Sequence, residues 1–426
     1  MRTIDRRRFL GSAGAVALTA ASTATPLEGR AASAPWRVRG TADDWDTFRA
    51  QFDLDPSYLH FAGLLIASHP RPVAEAVERH RRGLDLNPAL YLHEQRVPLE
   101  DRVRAAAAGY LGVESRDVAL TDSTTMGIGL VYNGLQVRPG QELLTTTHDY
   151  FVTHESLMFK ANRTGGSFRM VDPFADSAEA TADEITDRVV GEVRPHTRVL
   201  GLTWVHSWTG LKMPVRRIAD RLAELNAGRD PAERVLLGLD AVHGLGVEDD
   251  TLPELGCDFF MAGTHKWLFG PRGTGVLWGR PETQDAVTPT IPTFSTDPAW
   301  GDQMTPGGYK AFEHRWAVAE AFEMHMALGK TRIRDRIREL NTQLKEGLGA
   351  MSHVRVLTPT DPELSAGIVA FDVEGVVPDE VVARLEARKV LASVGPYHPP
   401  YARLTPGLLN TPEEVERALA EVATLR

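Results

Sequence analysis

The chain of 426 residues holds one cysteine, Cys257, so no disulfide can form within it and stability has to come from core burial. Positive charge is also in deficit. Its 47 Lys and Arg face 57 Asp and Glu, a net charge of −10, and no basic run carries interleaved aromatics, which speaks against a nucleic-acid partner. Beyond residue 30 no apolar run is long enough to span a bilayer, so no stable membrane association is expected. There is no Cys/His spacing for zinc, no G-x-S-x-G elbow and no internal repeat, which removes zinc sites, α/β-hydrolase chemistry and solenoids from consideration. What is present is an ordinary globular composition in a chain long enough for one large domain and a smaller one.

The first 34 residues stand apart. A basic start is followed by a Gly/Ala-rich apolar stretch from Phe9 to about Ala21 and by small-residue cleavage options such as Ala32-Ser33-Ala34. Arg6-Arg7-Arg8-Phe9-Leu10 resembles the twin-arginine export signal, with Asp5 where that signal usually has Ser or Thr. The expectation is a periplasmic or secreted protein that meets the twin-arginine translocase during export. That route carries folded cargo, in keeping with a single cysteine and with a cofactor acquired before export. An amphipathic N-terminal helix is the bland alternative, but the apolar stretch has no polar face.

From about residue 118, short apolar runs alternate with amphipathic helices: DVALTDSTT, ELLTTTHDY, SFRMVD, RVLGLTWVHS, VLLGLDAV and FFMAGTH. This predicts an α/β fold with a mostly parallel, seven-stranded-type sheet, helices on both faces, and GTGVLWG as an antiparallel strand. Helices are also predicted over 72–84 and 97–111, over Phe312 to Leu328 and over 331–349. The end of the chain reads as a small α+β domain, with strands near 354–357, 367–372 and 390–393 and a helix over 412–425. The expected boundaries are a signal at 1–34, an N-terminal segment at 35–70, a large domain at 71–300, an interdomain loop and helix at 301–330 and a small domain at 331–426.

Polar residues cluster at strand ends, where a doubly wound sheet forms its ligand crevice. Ser123 and Thr124 stand where a strand stops and a helix starts, a place that suits an anion or simply a helix cap. Gly238-Leu239-Asp240-Ala241-Val242-His243 delivers a carboxylate and then an imidazole. A buried Asp needs a partner, which a metal, a helix N-terminus or a protonated ring nitrogen can supply. Thr264-His265-Lys266 follows an apolar strand, and Arg403 lies in PPYARLTPGLLNT. Singly, His243 also reads as a core histidine, His265 as a remote donor and Arg403 as a surface cation in a loop.

Together these motifs resemble the class V aminotransferase branch of the fold-type I enzymes that use pyridoxal 5′-phosphate (PLP), in its isopenicillin N epimerase-like form. CDFFMAGTHKWLFGPRGTGVL and the preceding Asp-x-x-His carry the match, which extends over most of the chain from about residue 55. The resemblance implies that Lys266 bonds the cofactor aldehyde, that Asp240 holds the pyridine nitrogen protonated and that His243 packs on one ring face. Ser123, Thr124 and His265 would bind the phosphate, and Tyr150, with Phe151 as second choice, would stack on the other ring face. Ser207 occupies the place of the family's usual Asn against the ring hydroxyl. Arg403 would hold a substrate α-carboxylate. A homodimer is implied, with the loop around Gln303-Met304-Thr305-Pro306-Gly307-Gly308 reaching the neighbouring phosphate.

Residues 385 to 405 contain no cysteine, so the persulfide chemistry of the family's desulfurases is excluded. Transamination, epimerisation, elimination and oxidation at Cα remain. An exported enzyme lacks a dependable keto-acid supply, and a PLP core behind a twin-arginine signal resembles the exported enzymes that remodel siderophore precursors such as that of pyoverdine. The expected substrate is a small-molecule or peptidic amine, with an epimerase or C–S lyase as the alternative.

Overall fold

A computed structural model describes residues 45–426; the export-signal reading falls outside the described residues. The strands are β1 (Leu59–His60), β2 (Val118–Thr121), β3 (Glu142–Thr146), β4 (Ser167–Val171), β5 (Thr197–Thr203), β6 (Leu236–Asp240), β7 (Phe259–Gly263) and β8 (Gly275–Gly279). Five more follow towards the C-terminus: β9 (Val354–Val356), β10 (Val369–Val373), β11 (Val390–Leu391), β12 (Ser393–Val394) and β13 (Ala402–Leu404).

Strands β2 to β8 form a seven-stranded sheet in the order β2-β8-β7-β6-β5-β3-β4. The pairs β3–β4, β3–β5, β5–β6 and β6–β7 are parallel, while β8 runs antiparallel to both β2 and β7. Parallel neighbours need crossovers, and the helices Phe151–Thr164, Ala182–Gly191 and Val215–Asn226 supply them. Because helices cover both faces, the central strands are apolar without alternation; every residue of β5, β6 and β7 is buried. The helix Thr124–Gly134 lies so close to the sheet that a Cβ on Gly238 or Gly201 would come within 2.7 or 2.8 Å of the Tyr132 hydroxyl. Since β8 reverses between β2 and β7, strands β2, β3, β5, β6 and β7 all point the same way. Their carboxyl ends, and the loops after them, therefore share one edge.

A second sheet, β12-β13-β10-β9, is antiparallel throughout, and β1 pairs in parallel with β11 beside it. The stretch from Leu59 to Phe61 is thus part of this C-terminal core. Leu59 and Phe61 are buried with Leu340, Leu344, Phe371, Val390 and Leu404, and the Thr405 hydroxyl donates to the Phe61 carbonyl at 2.7 Å. The last helix, Pro412–Val422, opens on a capping box in which Thr411 and Glu414 satisfy each other's backbone N–H groups.

Three local expectations are corrected. The helix expected to begin at 97 begins at Pro88 and runs through Pro98 to Leu111. The single helix expected over 312–328 is two, Phe312–Trp316 and Val318–Leu328, because Ala317 has ψ near −1°. The alternative reading of Arg403 as a surface cation in a loop also falls, because Arg403 sits in β13, a strand too short to show a period in the sequence.

Candidate active site

One cavity of about 200 Å³ opens at the shared strand edge, and Ser123, Thr124, Tyr150, Ser207, Asp240, His243, His265, Lys266 and Arg403 all line it. Ser123 is the N-cap of the helix Thr124–Gly134, its hydroxyl accepting from the Met126 N–H at 3.0 Å. Thr124 Oγ1 accepts from the Gly263 N–H at 2.8 Å, tying this helix to the end of β7. The cap reading is therefore true of Ser123. It is also compatible with an anion, because the first-turn N–H groups have no carbonyl one turn back and the helix presents its positive end to the cavity.

Across the cavity, Asp240 ends β6, buried, with Oδ1 accepting from the Val242 N–H at 3.1 Å. No cation lies within ion-pair distance of this carboxylate among the described residues, and burial raises its pKa above the ordinary range. Lys266 follows β7, held in a turn by the Phe269 N–H, which donates to the Lys266 carbonyl at 3.0 Å. Burial, reinforced by Arg403 and opposed by Asp240, pulls the Lys266 amine below its ordinary value of 10.5. Its Nζ lies 3.1 Å from Nε2 of His243, which is itself buried. Burial also lowers the pKa of His265, which borders the cavity.

Arg403 closes the third side and is only 1% exposed. Its Nε donates to Ser393 Oγ at 3.2 Å, one terminal nitrogen to the Ser207 carbonyl at 2.6 Å and the other to the Val394 carbonyl at 2.9 Å. Of five N–H groups, one on each terminal nitrogen remains, and no carboxylate pairs with this guanidinium among the described residues. Burial lowers its pKa to about 10, so it stays cationic at neutral pH. A buried, unpaired cation is costly, and an anionic ligand is the natural remedy.

The hydroxyl of Ser207 does not point to an open acceptor: it lies 2.6 Å from the hydroxyl of Tyr397. Sequence reasoning missed Tyr397, which stacks on Trp208 at 5.3 Å and meets Tyr150 edge-on at 6.2 Å. It lies in the loop between β12 and β13, and no local pattern in the sequence marks it. Tyr150 borders the cavity, whereas Phe151 turns away and is 46% exposed. Thr305, in the loop expected to reach a neighbour, has its hydroxyl engaged within its own chain: it accepts from the Leu120 N–H and donates to the Gly301 carbonyl.

The donor set fits PLP on its chemistry. A helix N-terminus suits the phosphate, the carboxylate lacking an ion-pair partner suits a protonated pyridine nitrogen, and the amine with lowered pKa suits the aldehyde.

A family model described as Aminotransferase class-V matches residues 70–403. The chain is 27% identical over 399 residues to an isopenicillin N epimerase of Streptomyces clavuligerus, covering 88% of this chain and 96% of the relative. It is 24% identical to a probable cysteine desulfurase of Xylella fastidiosa over 91% of this chain and 96% of the relative. Among solved structures, a C-DES mutant with glycine covalently linked to its PLP cofactor superposes with a TM-score of 0.81 at 22% identity, covering 89% of this chain and 99% of that one.

Proposed function

As the chain belongs to the class V aminotransferase family and is a PLP-dependent enzyme, we propose that it works at the Cα and amine of an amino acid or peptidic metabolite whose carboxylate is free. Arg403 carries this reading: it is a buried cation with two unused N–H groups and no carboxylate partner among the described residues, lining the same cavity as Lys266. Bound PLP supplies the electron sink that makes the substrate Cα–H acidic. Arg403 anchors the carboxylate, and the planar fork sets the substrate's orientation. Lys266, whose amine is depressed towards neutrality, takes and returns the Cα proton. Asp240 keeps the pyridine nitrogen protonated, and the first turn at Ser123 and Thr124 holds the phosphate.

The reaction we place first is transamination or oxidative modification of an exported metabolite, a siderophore precursor such as that of pyoverdine being the type. Its support is the twin-arginine-like start of the chain, which argues for periplasmic work away from a keto-acid pool. A second reading is epimerisation or C–S lysis, of which epimerisation is supported by the similarity to isopenicillin N epimerase along most of the chain. Desulfuration through a cysteine of this chain has no support: Cys257 is buried, and burial pushes its thiol up to about 12.

Purified holoenzyme incubated with fractionated exported metabolites distinguishes these by mass. Exchange of an amine for a keto group, oxidative loss of carbon dioxide, or elimination each changes the substrate mass, whereas epimerisation leaves mass unchanged and alters chiral retention. Turnover only of amines lacking a carboxylate would overturn the reading. Replacing Arg6 and Arg7 by lysine should keep the protein in the cytoplasm; undiminished export would remove the twin-arginine proposal.

A further inference from the structure

The residue after the lysine is a tryptophan whose indole N–H is aimed at the site. Trp267 Nε1 lies 3.3 Å from Nδ1 of His243, the imidazole whose Nε2 meets Lys266 Nζ at 3.1 Å. An indole N–H can only donate, so Nδ1 must present its lone pair. His243 is buried, and burial with the neighbouring Lys266, Arg403 and His265 holds it neutral, so its one proton resides on Nε2. That proton then points at the lysine nitrogen, which can accept it only as a free amine.

We propose that Trp267 is a positioning residue that selects the Nε2–H tautomer of His243, so that His243 donates to the Lys266 nitrogen instead of accepting from it. Without the indole N–H the opposite tautomer becomes available, Nε2 turns acceptor, and an ammonium on Lys266 gains a hydrogen bond. The other charged groups facing Lys266 are Asp240, which favours the ammonium, and Arg403, which opposes it. The indole is itself wedged. A Cβ on Gly367 would come within 2.8 Å of its ring and one on Gly407 within 3.3 Å, while one on Gly246 would meet the Trp267 carbonyl carbon at 2.7 Å. Segments beyond residue 360 thus set the orientation of a donor that acts on the lysine.

This inference rests on Lys266 being the residue that bonds PLP, and the test separates the two. The rate at which the full-length, cofactor-depleted chain takes up PLP, followed by near-visible absorbance, reports the free-amine fraction of Lys266 as pH is varied. In the native chain uptake should rise with pH through a midpoint near 8, where burial has brought the amine. In Trp267→Phe, and with site-specifically incorporated β-(3-benzothienyl)alanine that keeps the bicyclic shape but lacks the N–H, the midpoint should move up by about one unit. Uptake at neutral pH would then be about tenfold slower. Equal midpoints in the native and benzothienyl proteins would overturn the tautomer role while leaving the cofactor site standing. Failure of the native chain to take up PLP at any pH would overturn both.

Discussion

At the scale of single residues, the site is governed by groups held away from their ordinary ionisation. Lys266 is useful only as a free amine, and the same burial that makes this possible would be ruinous for Arg403 without an anion to answer it. Arg403→Lys keeps the charge but loses the planar fork. Since a charge-assisted pair contributes about 1.5–3 kcal/mol, kcat/KM for a carboxylate-bearing substrate should fall about tenfold or more, with the near-visible absorbance of bound PLP unchanged. Unaltered turnover would place the carboxylate elsewhere. The nine residues singled out from the sequence do line one cavity: eight end or follow strands of the large sheet, whose direction the alternation of strand and helix dictates, and Arg403 reaches it from within β13 of the second sheet. Tyr397 was not legible in this way. Its contact with Ser207 joins positions 190 residues apart, and nothing local to either marks it.

At the scale of elements, the turn after β7 is constrained by distant parts of the chain, with Gly246, Gly367 and Gly407 packed against Trp267. Gly367 has φ of +68° and faces the Trp267 ring, whereas Gly375 has φ of +74° and nothing within 4 Å of where a Cβ would stand. An alanine at either position carries left-handed strain of roughly 1–2 kcal/mol. Gly375→Ala is expected to lose that much and no more. Gly367→Ala should lose more, with a larger drop in Tm, and should also slow PLP uptake by displacing the indole. Equal Tm losses with unchanged uptake would show that the ring has room to move. The elements misread from sequence failed for identifiable reasons. The helix Pro88–Leu111 runs ten residues before it meets Pro98, a residue type that favours a helix start over an interior, and the three residues of β13 are too few to carry a period.

At the scale of the whole molecule, the surface near the loop after residue 292 is apolar beyond what a lone chain needs. Tyr309 is 82% exposed, Phe294 58% and Val97 57%. We expect a second copy of the chain to cover part of it, in the closed twofold arrangement that most homo-oligomers adopt. Light scattering of the holoenzyme should give twice the mass of one chain, and a monomer at micromolar concentration would contradict this. The engaged hydroxyl of Thr305 means that any contact this loop makes with a neighbouring site has to come from its other groups.

The sequence by itself determined the class of fold, through the alternation of apolar runs and amphipathic helices. It also determined the family resemblance, through Asp240, His243, His265 and Lys266 on two strand ends, because these signals are local and the chemistry of each residue type travels with it. Only the tertiary structure decided that the segment around Leu59 and Phe61 belongs to the C-terminal core, that Arg403 is buried in a strand with no carboxylate partner among the described residues, and that the Trp267 N–H faces His243. Those facts depend on which distant surfaces exclude water from one another, and burial of that kind is a property of packing that no stretch of sequence carries alone.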